Sequence, residues 1–260
     1  MIPKKIHYCW LNGSELPDKI KRYVQTWKDI MPDYELVLWD ENKFDVNSVP
    51  FVKEAIAAKK WAFASDYIRL YAVYTEGGIY MDTDVFVQKK FDDFLSDDFF
   101  SAVEYFSMYI QNKNKVYVYE DGSVIQYIQG ITMLSAVFGA VSGHPFLKDC
   151  MDWYKNKHFS PTKYNALSPD VLATIAQRYG FRYKNEEQNL SQNMKIYPSQ
   201  IIASNVWDFS KDAHAIHCCE GSWLNIPFLI KITRKNNFLR KLFKKPPIIK
   251  DLYSYVKSKL

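Results

Sequence analysis

Gly77-Gly78-Ile79-Tyr80-Met81-Asp82-Thr83-Asp84-Val85-Phe86-Val87 is the stretch on which the fold turns. Only glycine enters the left-handed backbone region without a Cβ clash, so the glycine pair closes a preceding helix. The apolar run 79–87 then reads as a strand. Side chains two apart on a strand project to the same face, which puts Asp82 and Asp84 together and Met81, Thr83 and Val85 opposite. Neighbouring carboxylates repel unless a cation lies between them, and hard oxygen donors favour Mg²⁺ or Mn²⁺. An ion held by two side chains keeps positions open for phosphate oxygens, which suits group transfer from a nucleotide donor. A D-x-D tripeptide also occurs at solvated strand ends, so its neighbours decide its meaning.

Just upstream, residues 61–75 form a helical stretch carrying Ser65-Asp66-Tyr67-Ile68-Arg69, in which Asp66 and Arg69 share a face. A guanidinium offers a planar fork of donors, making Arg69 a candidate phosphate clamp, and Asp66 can accept from ribose or sugar hydroxyls. The structural alternative is a plain intrahelical ion pair. Further out, 4–10 reads as a first strand ending at Asn12-Gly13, and 34–39 as a second strand. A helix over 17–31 places Ile20, Tyr23, Val24, Trp27 and Ile30 on one face, and another covers 51–59. This alternation predicts an α/β domain with a largely parallel sheet over the first ninety residues and a ligand at the strands' C-terminal ends. Beyond residue 100 the reading is a hairpin at 116–128 around Asp121-Gly122 and a buried stretch at 131–141. Helices follow at 145–154 and 168–179, then strands at 194–197 and 213–217.

The chain has 260 residues, of which 48% are hydrophobic, 24% charged and 17% aromatic, so one compact domain is expected and a disordered or fibrous protein is excluded. No apolar run is long enough to span a bilayer, and the expected location is the cytoplasm. Four irregularly spaced cysteines (Cys9, Cys150, Cys218, Cys219) read as reduced thiols, the adjacent pair lacking the C-x-x-C spacing of a zinc site. The net charge of +5 is unevenly spread: residues 228–260 hold ten Lys or Arg against the single acid Asp251, which leaves 1–227 net acidic. That boundary divides a main domain, 1–227, from a basic tail, 228–260. After Pro246-Pro247, Ile248, Ile249, Leu252, Tyr253 and Val256 recur at helical spacing among lysines. Such a helix either docks peripherally on an anionic inner membrane face through 238–260 or packs on the body.

Three segments, Ile2-Pro3-Lys4-Lys5-Ile6-His7-Tyr8-Cys9-Trp10, Ala64-Ser65-Asp66-Tyr67-Ile68-Arg69 and Gly77-Gly78-Ile79-Tyr80-Met81-Asp82-Thr83-Asp84, together resemble glycosyltransferase family 32. This is the group of DXD sugar transferases that includes bacterial capsule and lipopolysaccharide enzymes and yeast mannosyltransferases. It is also similar to the core of the clostridial glucosylating toxins. The resemblance implies a GT-A-like, Rossmann-type α/β fold with a mixed central sheet and, here, a helical C-terminal tail. It implies a nucleotide-sugar donor, Mn²⁺ or Mg²⁺, and transfer with retention of configuration. Ala215-Ile216-His217-Cys218-Cys219-Glu220-Gly221-Ser222-Trp223 resembles the family's C-terminal His...Ser-Trp element. By that likeness Asp82, Asp84 and Arg69 carry catalysis, and His217 or Glu220 completes a metal shell begun by Asp82 and Asp84. Trp10 stacks on the nucleobase, and Ser65, Asp66, Arg69, Tyr80, Asp82, Ser222 and Trp223 contact the nucleotide sugar. The implied donor is a UDP-hexose, with GDP-mannose as the other candidate, and the implied acceptor is a glycan or lipid-linked saccharide of bacterial surface polysaccharide synthesis.

Two departures from the family pattern bear on the acceptor. Ser168-Pro169 stands where many relatives carry Gly-Pro, and a tyrosine cluster (Tyr105, Tyr109, Tyr117, Tyr119, Tyr127) either lines an acceptor site or forms an aromatic face. Asp170 is a candidate acid or base that nothing in the sequence places near an acceptor. Two rival readings remain. One is a haloacid-dehalogenase-like phosphatase with Asp82 as nucleophile. The other is a non-enzymatic polyanion-binding protein acting through its tail, although no nucleic-acid module is present and no nucleic acid is expected.

Overall fold

Strand β1 (Lys5–Cys9) lies between two parallel neighbours, β2 (Glu35–Trp39) and β3 (Gly78–Met81), with Lys5 opposite Glu35 and Ile6 opposite Ile79. The computed structural model describes residues 1–107, 110, 114–163, 165–206 and 208–220. Helix α1 (Asp18–Ile30) turns Tyr23, Val24 and Trp27 inward, as the spacing predicts, and the Trp27 indole donates to the Val85 carbonyl at 2.8 Å. Helices α2 (Pro50–Ala57) and α3 (Trp61–Glu76) pack on each other, and α3 also packs on β1 and β3.

The end of α3 shows why two glycines are needed. Gly77 caps the helix, its N–H donating to the Val73 carbonyl at 2.9 Å, with φ at +64°. Gly78 follows at φ +115°, where a Cβ would stand 2.9 Å from the Lys5 carbonyl oxygen. The close approach lets β3 enter beside β1. His7 fastens the same junction: its Nδ1 accepts from the Trp39 indole at 3.0 Å, so the proton sits on Nε2 and donates to the Gly77 carbonyl at 2.7 Å. Burial lowers the His7 pKa and keeps the ring neutral, so this histidine is structural.

The remaining strands of the large sheet are β5 (Phe99–Tyr105), β6 (Asn114–Val118), β7 (Val124–Ile128), β8 (Ile131–Met133), β9 (Val137–Ala140), β10 (Gln188–Leu190) and β11 (Met194–Tyr197). Among the described residues the order is β2-β1-β3-β9-β5-β8-β7-β6, with β11 pairing β5 and β10. Strand β9 runs antiparallel to both β3 and β5, so the sheet is mixed. Helices α4 (Pro145–Lys155) and α5 (Ser168–Ala176) pack together, and α5 lies against β7 and β8. The α/β fold with a mixed central sheet expected from the sequence is therefore the one observed.

One local expectation changes. Residues 79–87 are not a single strand: the chain leaves β3 at Met81, turns with the Val85 N–H on the Asp82 carbonyl at 3.0 Å, and enters β4 (Val85–Val87). Strand β4 belongs to a separate small sheet with β13 (Ala215–His217) and β12 (Ala203–Asn205). Asp82-Thr83-Asp84 is thus a turn between two sheets, and its acids converge through that turn rather than through strand alternation. The 227/228 boundary and the basic helix of the tail lie outside the described residues.

Candidate active site

The antiparallel pairing of β13 with β4 sets His217 opposite Val85, one residue beyond the D-x-D turn. One ligand atom from each of Asp82, Asp84 and His217 then lies within 4.8 Å of the others, the one such cluster among the described residues. Side-chain exposure is 25% for Asp82, 16% for Asp84 and 15% for His217, so the cluster is sunk yet open on one side. The Asp84 carboxylate accepts the Glu220 N–H at 2.8 Å and stands 3.5 Å from His217 Nε2. Burial opposes its charge, but His217 and the Glu220 amide outweigh burial and hold Asp84 below the usual carboxylate range. Asp82 shifts the other way, since burial and the neighbouring Asp84 charge raise it against the pull of Arg69. Opposite shifts are expected when two carboxylates share one site. Two carboxylate oxygens and an imidazole nitrogen suit Mn²⁺ or Mg²⁺, so the donor set fits the expected ion.

Asp82 is held from behind. Tyr80 donates to its Oδ1 at 2.8 Å, and the Arg69 guanidinium stands 3.5 Å from the same atom and 4.8 Å over the Tyr80 ring. Arg69 itself is 4% exposed. Its Nε donates to the Ser65 carbonyl at 3.2 Å, Nη1 to Ser135 O and Oγ at 3.0 and 3.3 Å, and Nη2 to Ser65 Oγ at 3.1 Å, with Asp66 paired at 3.0 Å. Its five N–H groups are taken by the protein. Arg69, expected as a phosphate clamp, is engaged in this structure with Asp66 at 3.0 Å and lies 3.5 Å from Asp82, and so positions both acids. Ser65, expected at the nucleotide sugar, braces that guanidinium. Burial pushes Asp66 up to about 7 despite Arg69.

Trp10 continues from β1 at the sheet edge that also carries Asp82, its N–H on the Trp39 carbonyl at 3.1 Å and its indole on the Ser14 carbonyl at 2.7 Å. Glu220, the alternative to His217 as a ligand, turns its side chain to Tyr23 (3.0 Å) and Lys19, and supports the site only through its main-chain N–H. Ser222 and Trp223 lie outside the described residues. Cys218 and Cys219 are free thiols; burial pushes the Cys218 thiol up to about 12 and also raises Cys219.

Two acids unplaced by sequence reasoning stand on the far side of His217. Glu104, near the end of β5, lies 3.9 Å from His217 Nδ1 and accepts from Thr132 Oγ1 at 3.0 Å. A glutamate in the apolar strand Phe99-Phe100-Ser101-Ala102-Val103-Glu104-Tyr105 was the signal available for it. Asp170, in the first turn of α5, faces Glu104, and burial together with that charge pushes it up to about 7. Of the tyrosine cluster, Tyr119 packs edge-on against Tyr117 and Trp153 and accepts the Ala166 N–H at 2.8 Å, so this part is an aromatic face. Tyr109 and the Tyr127 side chain lie outside the described residues.

Residues 17–101 match the family model described as "Glycosyltransferase sugar-binding region containing DXD motif", and Asp82-Thr83-Asp84 falls inside the match. Residues 17–101 are thus similar to the sugar-binding region of DXD glycosyltransferases. A relative in Schizosaccharomyces pombe, inositol phosphoceramide mannosyltransferase 2, is 26% identical over 86% of this chain and 59% of its own length. Subversion of eukaryotic traffic protein A of Legionella pneumophila is 27% identical over 35% of this chain and 18% of its own. The chain thus spans less than two thirds of the length of these curated relatives. Among solved structures, the PaToxG glycosyltransferase has a TM-score of 0.47 and 20% identity, covering 68% of this chain and 69% of its own. The similarity agrees with the resemblance expected from the sequence: a match to the sugar-binding region of DXD transferases covers residues 17–101. No described helix is long and apolar enough to cross a membrane.

Proposed function

We propose that this chain is a metal-dependent glycosyltransferase that moves a hexose, with retention of configuration, from a nucleotide sugar to a glycan or lipid-linked acceptor. The observation that carries the reading is the convergence of Asp82, Asp84 and His217 inside and beside the matched DXD region. These three side chains would hold Mn²⁺ or Mg²⁺, which when bound supplies charge neutralisation for a departing diphosphate. The protein supplies the rest. Tyr80 and Arg69 fix Asp82, the Glu220 amide fixes Asp84, and Cys219 Sγ at 3.5 Å, with Glu104 beyond it at 3.9 Å, stands at Nδ1 of His217 so that its Nε2 is directed to Asp84. Asp66, close to Arg69 and partly relieved of charge by burial, would exchange hydrogen bonds with donor hydroxyls. Trp10 at the adjacent strand end offers an aromatic face for a nucleobase.

Mannose is the sugar to test first, because the S. pombe relative is named as a mannosyltransferase; UDP-hexoses follow. The setting we propose is surface polysaccharide synthesis, with the tail 238–260 resting on an anionic membrane face. The phosphatase alternative loses its support, since Asp82 ends the third strand rather than the first, inside a sugar-binding match. Incubation with a panel of nucleotide sugars and Mn²⁺, followed by assay for released nucleoside diphosphate, tests the reading directly. Cleavage of one or two donors, abolished by EDTA, is the expected result. Cleavage of a generic phosphomonoester with all nucleotide sugars left intact would refute it.

A further inference from the structure

Cys219 is held at φ +48°, in the left-handed backbone region that glycine enters without strain. It stands two residues after His217, in the segment 217–220 that wraps Asp84. There the Cys218 N–H donates to the Asp84 carbonyl at 3.0 Å, the Glu220 N–H donates to the Asp84 carboxylate at 2.8 Å, and His217 Nε2 faces that carboxylate at 3.5 Å. The backbone reversal at Cys219 brings the Glu220 N–H back to Asp84. Glycine would make that turn at lower cost, so what the position gains from a thiol lies in its side-chain contacts. Sγ of Cys219 folds back on the histidine, 3.5 Å from Nδ1 and 3.4 Å from the His217 carbonyl oxygen. The neighbouring thiol takes the other side: Cys218 Sγ reaches the Ile216 carbonyl at 3.8 Å, and Cys218 packs against the cluster of Tyr23, Phe86 and Ile216. The adjacent cysteines therefore point apart, and it is Cys219 that meets the imidazole ring.

The two contacts of Sγ fix the direction of its hydrogen. A carbonyl oxygen only accepts, so the thiol hydrogen goes to the His217 carbonyl and a sulfur lone pair is left facing Nδ1. That lone pair accepts a proton carried on Nδ1, and in a neutral imidazole a proton on Nδ1 leaves the Nε2 lone pair free. Nε2 is the nitrogen turned to Asp84. The opposite tautomer would set a bare Nδ1 lone pair against the sulfur and against the Glu104 carboxylate oxygen at 3.9 Å. Glu104, whose other oxygen accepts from Thr132 at 3.0 Å, is too distant to hydrogen-bond Nδ1 and contributes its charge alone. We propose, resting on the reading of Asp82, Asp84 and His217 as metal ligands, that Cys219 is the positioning residue of the metal centre: its thiol holds the imidazole proton of His217 on Nδ1 and thereby offers Nε2 to the divalent ion.

The test titrates Mn²⁺ alone into the full chain by calorimetry, records the electron spin-echo envelope of the bound ion for nitrogen modulation from a coordinated imidazole, and takes the melting temperature in EDTA. The unmodified protein should bind Mn²⁺ with nitrogen modulation. Cys219→Ala should lower Mn²⁺ affinity by roughly tenfold, the scale on which a metal-bound histidine suffers when its outer hydrogen-bond partner is removed, and should weaken the modulation. Cys219→Ser keeps the donor and acceptor pattern, so its affinity should return to within roughly threefold of the parent. Cys219→Gly separates thiol from backbone. It relieves the left-handed strain, so it should melt no lower than Cys219→Ala and yet bind Mn²⁺ as weakly; it carries the test should Cys219→Ala fail to fold. Affinity and modulation unmoved by the loss of the thiol would overturn the assignment, and so would affinity that simply follows melting temperature across the three variants. Either result leaves the metal reading standing as long as the unmodified protein binds Mn²⁺ with nitrogen modulation, whereas absence of binding or of modulation in the unmodified protein sinks both.

Discussion

Asp84 is fixed through both of its polar ends: the main-chain carbonyl accepts from the Cys218 N–H at 3.0 Å and the carboxylate from the Glu220 N–H at 2.8 Å. The main-chain bond to Cys218 does not depend on the side chain's charge, so the turn keeps its place when that charge is removed. Asp84→Asn should fold with a modestly lower melting temperature in EDTA, because the carboxylate no longer pairs with His217, lose the stabilisation that added Mn²⁺ gives, and lose turnover by roughly 10²- to 10³-fold. Near-native rates in Mn²⁺-containing buffer would remove Asp84 from the site. Tyr80 acts one step further out. Tyr80→Phe deletes the 2.8 Å bond to Asp82 while keeping the ring under Arg69, so Mn²⁺ affinity measured by calorimetry should fall by roughly 10- to 100-fold. An unchanged affinity would mean that Asp82 needs no orienting partner. At this scale the sequence was legible where chemistry and spacing coincide: two acids ending an apolar run could be picked out. Glu104 and Asp170 could not, because each enters the site from an element whose place depends on sheet order.

The elements of the first ninety residues were readable because local signals agreed: amphipathic spacing in α1, β-branched and aromatic runs in β1 and β2, and the glycine pair after α3. What could not be read is where a strand stops being part of one sheet and joins another. β3 and β4 look like one run, and only the pairing of β4 with a strand near residue 216 divides them. Strand β5 was missed because it is buried on both faces and shows no alternation. The junction of α3, β1 and β3 gives an element-scale prediction. Gly78→Ala would put a Cβ 2.9 Å from the Lys5 carbonyl at φ +115°, costing about 1–3 kcal/mol of strain and displacing β3, which carries the D-x-D turn. Differential scanning calorimetry should show a fall of several degrees, accompanied by weaker Mn²⁺ binding. Wild-type melting with weakened metal binding, or the reverse, would break the proposed link between that junction and the site.

Among the described residues, the C-terminal edge of the sheet concentrates acids, Asp66, Asp82, Asp84, Glu104 and Asp170, against Arg69 and His217 as close counter-charges. Tertiary folding assembles this cluster, so its cost belongs to the folded state and should appear as a pH dependence of stability. Asp66 and Asp170 carry the sign most plainly: burial raises both from 3.8 to about 7, so the folded protein binds protons that the unfolded chain releases. The stability they contribute is complete below pH 3.8 and is lost as pH rises through about 7. In EDTA the melting temperature should therefore decline between about pH 5 and pH 8, and Asp170→Asn should flatten the decline by removing one of the two groups. Mn²⁺ acts in the opposite sense, because it binds the deprotonated ligands, and its increment in melting temperature should grow over the same range. The two curves, with EDTA and with Mn²⁺, should thus diverge as pH rises. Parallel curves would mean that the acids at the sheet edge are not gathered into one metal-competent cluster in solution, and the site would have to be sought elsewhere in the fold.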